Sequence, residues 1–143
     1  MNLRSVWRRV RGLIGMAAVW AGAFALVGLG VAPHSVRACP AAWIRALAGE
    51  ARRRGLPLHV HAAEQPAEVD ACRLEHGLSP VQLLEREGAL GEPTTLVHAI
   101  HVDERDARAI GAARATVCAC PTTERNLADG VDEIFHLLRV AAH

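Results

Sequence analysis

The segment His59-Val60-His61-Ala62-Ala63-Glu64-Gln65 concentrates the chemistry this chain could perform. Side chains alternate along an extended strand, so His59 and His61 share one face. Neutral imidazole is a good zinc ligand, and a glutamate three residues on can stand beside a metal without binding it. Zinc lowers the pKa of a water that it holds to about 7, which makes hydroxide available at neutral pH. Glu64 could then collect that water's proton and deliver it to a leaving nitrogen. A plainer arrangement uses the same residues: two buried histidines bonded to backbone, with an exposed glutamate in a loop. Spacing alone leaves both open.

Further groups of the same kind recur along the chain. His98 with His101 offers a second ligand, a base, or a histidine satisfied within the core. His34 and Arg37 suggest anion recognition, because a guanidinium presents a planar fork to a carboxylate and a histidine can supplement it. Taken alone, Arg37 is more often a surface charge. Thr122, Thr123, Glu124 and Asn126 form a third polar cluster. Cys118 and Cys120 alternate onto one face and read as packing residues. The four cysteines show no CxxC spacing, which predicts reduced thiols rather than disulfides or a cysteine zinc site.

The elements that must position these groups follow from hydrophobic periodicity. Residues 26–32 have the continuous apolar character of a buried parallel strand. A helix is expected over 41–54, with Trp43, Ile44 and Leu47 as its apolar stripe, ended by Gly55 and Pro57. A strand follows over 58–62, then two short helices over 67–76 and 80–87, the second capped by Ser79 ahead of Pro80. A third strand over 94–99 leads to a helix capped by Asp103 and running to about 114. Residues 116–119 form a fourth strand, and 121–130 read as a polar loop. Strand–helix–strand alternation with apolar strands means α/β architecture with a parallel sheet. In such sheets ligands bind at the carboxyl ends of the strands, where all four polar clusters fall.

Composition bounds the partners. Residues 1–49 carry six arginines and no acid, whereas the remaining 94 hold ten arginines against 15 acids. A mildly acidic body offers no electrostatic footprint for nucleic acid. Arg4, Arg8, Arg9 and Arg11 precede an uncharged apolar run over 12–33, and Val36-Arg37-Ala38 supplies a loose cleavage pattern. That order suits a secretory signal or a membrane span. The competing expectation is a cytoplasmic protein whose run includes the first strand. Open sheet edges also predict self-association into a homo-oligomer.

Four blocks together resemble formimidoylglutamate deiminase, a family of metal-dependent amidohydrolases. They are Pro33-His34-Ser35-Val36-Arg37-Ala38, the His59 to Gln65 segment, Leu96-Val97-His98-Ala99-Ile100-His101, and Thr122-Thr123-Glu124-Arg125-Asn126-Leu127-Ala128-Asp129-Gly130. Their order and spacing are similar to the family's, over about residues 27–131. The resemblance implies a partial (β/α)8 barrel of about four parallel strands at 26–131, flanked by unmatched segments at 1–25 and 132–143. It also implies Zn²⁺ or another divalent metal, a small-molecule substrate, and hydrolysis of N-formimino-L-glutamate to N-formyl-L-glutamate and ammonia in histidine breakdown. By the same resemblance His61 is the metal ligand, Glu64 the proton shuttle, and His98 the group that orients and polarises the reacting atoms. His34 and Arg37 then hold the substrate's carboxylates, while His59 and His101 match the pattern without a role.

The departures from the family are specific. Its first-strand His-x-His pair has no counterpart here. Asp132 follows the fourth strand too soon to stand for the aspartate ligand of the eighth strand. The metal ligand set is therefore expected to be incomplete, since catalytic zinc sites usually have three protein ligands. Barrels of this type need about 250 residues. The expectation is a central slice of a deiminase, inactive unless the barrel is completed. Two alternatives remain: a related amidohydrolase acting on a purine- or pyrimidine-like ring, and a non-catalytic membrane-anchored or secreted protein.

Overall fold

The computed structural model describes residues 28–127. The basic N-terminal stretch, most of the apolar run at 12–33, Asp132 and the tail at 132–143 lie outside the described residues. Among the described residues no helix is long and apolar enough to cross a membrane.

The chain alternates as expected, in the order α1 (Ala41–Arg54), β1 (Leu58–Ala62), α2 (Pro66–His76), α3 (Pro80–Arg86), β2 (Thr94–His98), α4 (Glu104–Ala112), β3 (Thr116–Cys118) and α5 (Pro121–Leu127). The strands form a parallel sheet in the order β1-β2-β3. Leu58 lies opposite Thr94 and Ala62 opposite His98, while Thr95 faces Thr116 and Val97 faces Cys118. Parallel neighbours require long crossovers. Here α2 and α3 carry the chain from β1 to β2, and α4 carries it from β2 to β3.

One face of the sheet is the core. Leu58, Val60, Ala62 and Leu96 pack with Ile44, Ala48, Ala51, Val81, Leu84 and Ile110 from the helices. The alternating positions His59, His61, Thr95 and Val97 occupy the opposite face, where they are exposed or half-buried. Period-two alternation thus assigns apolar side chains to the helices and the histidines of β1 to the open face.

Three expectations need correction. The strand expected over 26–32 is represented, within the described residues, by isolated parallel bridges from Val31 to Leu58 and from Ser35 to His61. Pro33, lying between them, has no N–H to give a continuous ladder, and Leu29 is 76% exposed. On α1 the buried stripe is Ile44, Ala48 and Ala51 rather than Trp43, Ile44 and Leu47. Ala48 and Ala51 join Ile44 in the core cluster, and Trp43 turns outward at 65% exposure. Residues 121–127 form helix α5 instead of the expected polar loop. Pro121 suits a first helical position, and the Glu124 carboxylate accepts the Cys120 N–H at 2.8 Å, which satisfies a donor at the helix start.

The remaining helix ends behave as the sequence suggests. Gly55 closes α1 in the left-handed conformation, with φ 64°, where a side chain is disfavoured. Ser79 caps α3 by accepting the Gln82 N–H. Asp103 and Asp106 make a reciprocal capping box at α4. Asp106 is fully buried and also accepts from Ser79 Oγ at 2.6 Å and Gln82 Nε2 at 2.9 Å, which ties α3 to α4.

Candidate functional site

His61 is half-buried near the carboxyl end of β1. Its Nδ1 lies 2.8 Å from the carbonyl oxygen of His34, which also accepts the His61 backbone N–H at 2.9 Å. A carbonyl can only accept, so Nδ1 carries the hydrogen and the neutral ring presents Nε2 as a free lone pair. The His34 ring stacks on His61 with centroids 4.9 Å apart, and the His98 ring lies 5.6 Å away on a tilt. The bridge between Ser35 and His61 brings residues 34–37 alongside β1. Ser35 Oγ, buried, lies 3.0 Å from His34 Nδ1 and accepts the Ala38 N–H at 3.3 Å, which shapes the turn that presents Arg37.

Glu64 is the centre of the charged groups. Its Oε2 accepts from Arg37 Nη2 at 2.8 Å, and its Oε1 is 3.4 Å from His98 Nε2. On the far side of His98, Nδ1 lies 3.4 Å from Glu124 Oε1. Arg37, Glu64, His98 and Glu124 therefore form one chain of alternating charge capacity drawn from two loops, the end of β2 and helix α5. Glu68, on the first turn of α2, accepts the Glu64 N–H on Oε2 at 3.0 Å and holds that loop from beneath. Burial pushes the Glu68 carboxyl above its usual range, against opposing bonds from backbone N–H groups.

The loops carrying these residues are conformationally unusual. Ala63, His98 and Ala99 have φ values of 52°, 74° and 52°. Each such position costs a residue with a side chain on the order of 1–3 kcal/mol, and such strain clusters at functional sites. Here it turns the ends of β1 and β2 toward one another, and the backbone N–H groups of Ile100 and His101 both bond to Ala63 O at 3.1 and 3.0 Å. His98, one of the core-side positions of β2 by alternation, is thereby aimed at Glu64 and Glu124.

All five residues expected to act are thus together: His34, Arg37, His61, Glu64 and His98. His59 lies two residues down β1 on the open face, exposed. His101 faces elsewhere, into a hollow of about 290 Å³ shared with Asp70, Arg73 and Asp103. Sequence reasoning gave no role to Glu124 or Glu68, although each stands four residues after a group it touches, a spacing typical of a helix's first turn. Cys118 and Cys120 were expected to pack, but Cys118 is exposed and Cys120 sits half-buried beside Glu124. One donor atom each from His98, Cys120 and Glu124 fall within 4.8 Å of one another. Burial holds the Cys120 thiol above its usual pKa, which disfavours thiolate in the absence of a cation.

The donor chemistry fits a divalent metal. His61 Nε2 is the ligand-competent nitrogen, and the Nδ1–H to carbonyl bond is the outer contact that metal-ligating histidines typically make. His61 is one ligand, however, and typical catalytic zinc sites use three.

Residues 9–139 match the model of the amidohydrolase family. The chain belongs to that family. Among known amidohydrolase-like relatives, it is 31% identical over 110 residues to a 5-methylthioadenosine/S-adenosylhomocysteine deaminase of Pelotomaculum thermopropionicum, covering 77% of this chain and 25% of that protein. It is 38% identical over 103 residues to formimidoylglutamate deiminase of Pseudomonas aeruginosa, covering 72% of this chain and 22% of that protein. The amidohydrolase chain described here thus spans about a quarter of the length of these relatives. An adenosine deaminase from Xanthomonas campestris, solved with bound zinc, superposes with a TM-score of 0.73 at 24% identity, over 78% of this chain and 26% of that one. The fold is accordingly α/β, a portion of a (β/α)8-type barrel.

Proposed function

We propose that this amidohydrolase segment carries part of the active site of a metal-dependent deiminase acting on N-formimino-L-glutamate. The observation that carries the reading is the Arg37 guanidinium, 2.8 Å from the Glu64 carboxylate. A basic fork placed beside the proton-transferring group suits a substrate with a carboxylate near its reacting end. The 38% identity to formimidoylglutamate deiminase supports the same choice. The sequence boundaries 26–131 are the proposed extent of the barrel portion.

In this reading His61 holds a divalent ion, zinc by preference, through Nε2, with the remaining ligands supplied from outside the described residues. Such an ion supplies Lewis acidity, which makes water acidic enough to attack at neutral pH. Arg37 and His34 bind the substrate's carboxylates and fix the formimino carbon near Glu64. Glu64 takes a proton from the attacking water and passes it to the departing nitrogen. His98 hydrogen-bonds the reacting group opposite Glu64 and polarises it. Water adds at the formimino carbon, the bond from that carbon to the terminal nitrogen breaks, and ammonia leaves with N-formyl-L-glutamate as product. The chain alone is proposed to bind this substrate weakly and not to turn it over.

A second reading, a deaminase of a purine-like ring, is favoured by the match to the methylthioadenosine deaminase. Side-chain NMR of the purified chain separates the two. N-formimino-L-glutamate should shift the Arg37 guanidinium resonance, and 5-methylthioadenosine should not. A response confined to the nucleoside moves the assignment to the second reading. Stoichiometric zinc uptake with ammonia release by the chain alone overturns the proposal that it is inactive unaided.

A further inference from the structure

His98 is 4% exposed and has carboxylates at both ring nitrogens, Glu124 at Nδ1 and Glu64 at Nε2. The two carboxylates are held differently. Glu64 sits on the loop after β1, is partly open, and already engages Arg37. Glu124 is fully buried, and its Oε1 is pinned by the Cys120 N–H at 2.8 Å across the first turn of α5. Oε2 of Glu124 has no hydrogen-bond partner among the described residues. A helix cap alone would account for the bond to Cys120, yet the same oxygen also faces Nδ1 of the ring at 3.4 Å.

An ionised carboxylate only accepts hydrogen bonds, so Glu124 and Glu64 each favour a hydrogen on the ring nitrogen that faces them, and a neutral ring has one to give. In a neutral ring the other nitrogen is then a lone-pair acceptor. We propose that Glu124 is a positioning residue, whose fully buried carboxylate outcompetes Glu64, already engaged by Arg37, for the ring hydrogen and so holds His98 as its Nδ1–H tautomer with Nε2 left as the acceptor. His98 then meets the reacting groups with a defined lone pair rather than an unassigned nitrogen. This gives α5, which bears no apolar stripe, a polar contact to the end of β2. The value of that tautomer to catalysis rests on the deiminase reading, whereas its existence does not.

The test is the ¹⁵N signature of the His98 ring in the purified full chain, in buffer alkaline enough to keep the ring neutral. The signal is assigned by its loss in His98→Asn. The expected result is a protonated Nδ1 and an unprotonated Nε2. Glu124→Gln keeps an accepting oxygen and should retain that tautomer. Glu124→Ala should move the ratio about tenfold or more toward Nε2–H, the scale of a hydrogen bond to a charged acceptor. An Nε2–H tautomer in the wild-type chain overturns the proposal, as does an unchanged tautomer in folded Glu124→Ala. Should Glu124→Ala lose its spectral dispersion, Glu124→Gln decides with the wild type, and Nε2–H in either is the overturning result. None of these readouts depends on turnover, so a wrong substrate and a wrong role for Glu124 give different results.

Discussion

Three imidazoles, of His34, His61 and His98, meet the carboxylates of Glu64 and Glu124 at the ends of two strands. Their contacts make unequal demands. If His61 Nε2 is a metal ligand, His61→Asn should weaken zinc binding by at least about tenfold in competition with a chromophoric chelator, since even outer contacts of such ligands carry that much. His59→Asn, on the same strand face but away from the cluster, should leave zinc binding unchanged. Glu68 gives a pH signature. Its carboxyl is raised above 4.5, chiefly by burial, so folding favours its protonated form. The sign follows from linkage: below 4.5 the group is neutral in both states and costs nothing, and as pH rises from there through the raised value the folded chain is progressively destabilised. Urea denaturation of Glu68→Gln should therefore show a stability gain over the wild type that opens across that window and is absent in acid. An equal difference at every pH would show that packing, not ionisation, sets the effect. The residues of the cluster were legible in the sequence because they recur at strand ends. Glu124 was legible only as one polar group after the fourth strand and Glu68 not at all, because their roles lie in touching a backbone N–H or a ring that only the fold brings near.

At the scale of elements, capping and propensity forecast most boundaries, and the failures are informative. The Ser79-Pro80 pair marks the start of α3 as expected, since a serine oxygen accepts from the third helical residue. Ser79→Ala should cost about 1–2 kcal/mol in a urea titration, at the upper end for a cap because Asp106 also loses a donor. A loss under about 0.5 kcal/mol would mean that Gln82 satisfies Asp106 unaided. Helix α5 escaped notice because Thr122 and Thr123 are β-branched and no apolar stripe runs along it. Its one buried side chain is Glu124, held by polar contacts that periodicity does not encode. The stripe of α1 was misplaced for a related reason. Alanine carries a weak hydrophobic signal, yet Ala48 and Ala51 are buried in the core cluster while Trp43 faces outward.

For the whole molecule the central strand carries the core. Leu96 is fully buried on β2, between β1 and β3, whereas Val117 on the edge strand is half-buried. Leu96→Ala should destabilise by about 2–5 kcal/mol, visible as a lower urea midpoint, and Val117→Ala by clearly less. Equal losses would mean that the edge is covered in solution. The sequence by itself determined the α/β alternation, the parallel sheet, most helix limits and the five residues that gather at its rim. These follow from local rules: period-two burial, caps, breakers, and the placement of polar groups at strand ends. Tertiary structure alone decided which nitrogen of His61 is free, that Arg37 engages Glu64, and that Glu124 reaches His98. Each of those depends on the meeting of atoms from separate loops, at distances set by strand register and by the left-handed turns at Ala63 and His98. No local pattern along the chain contains that information.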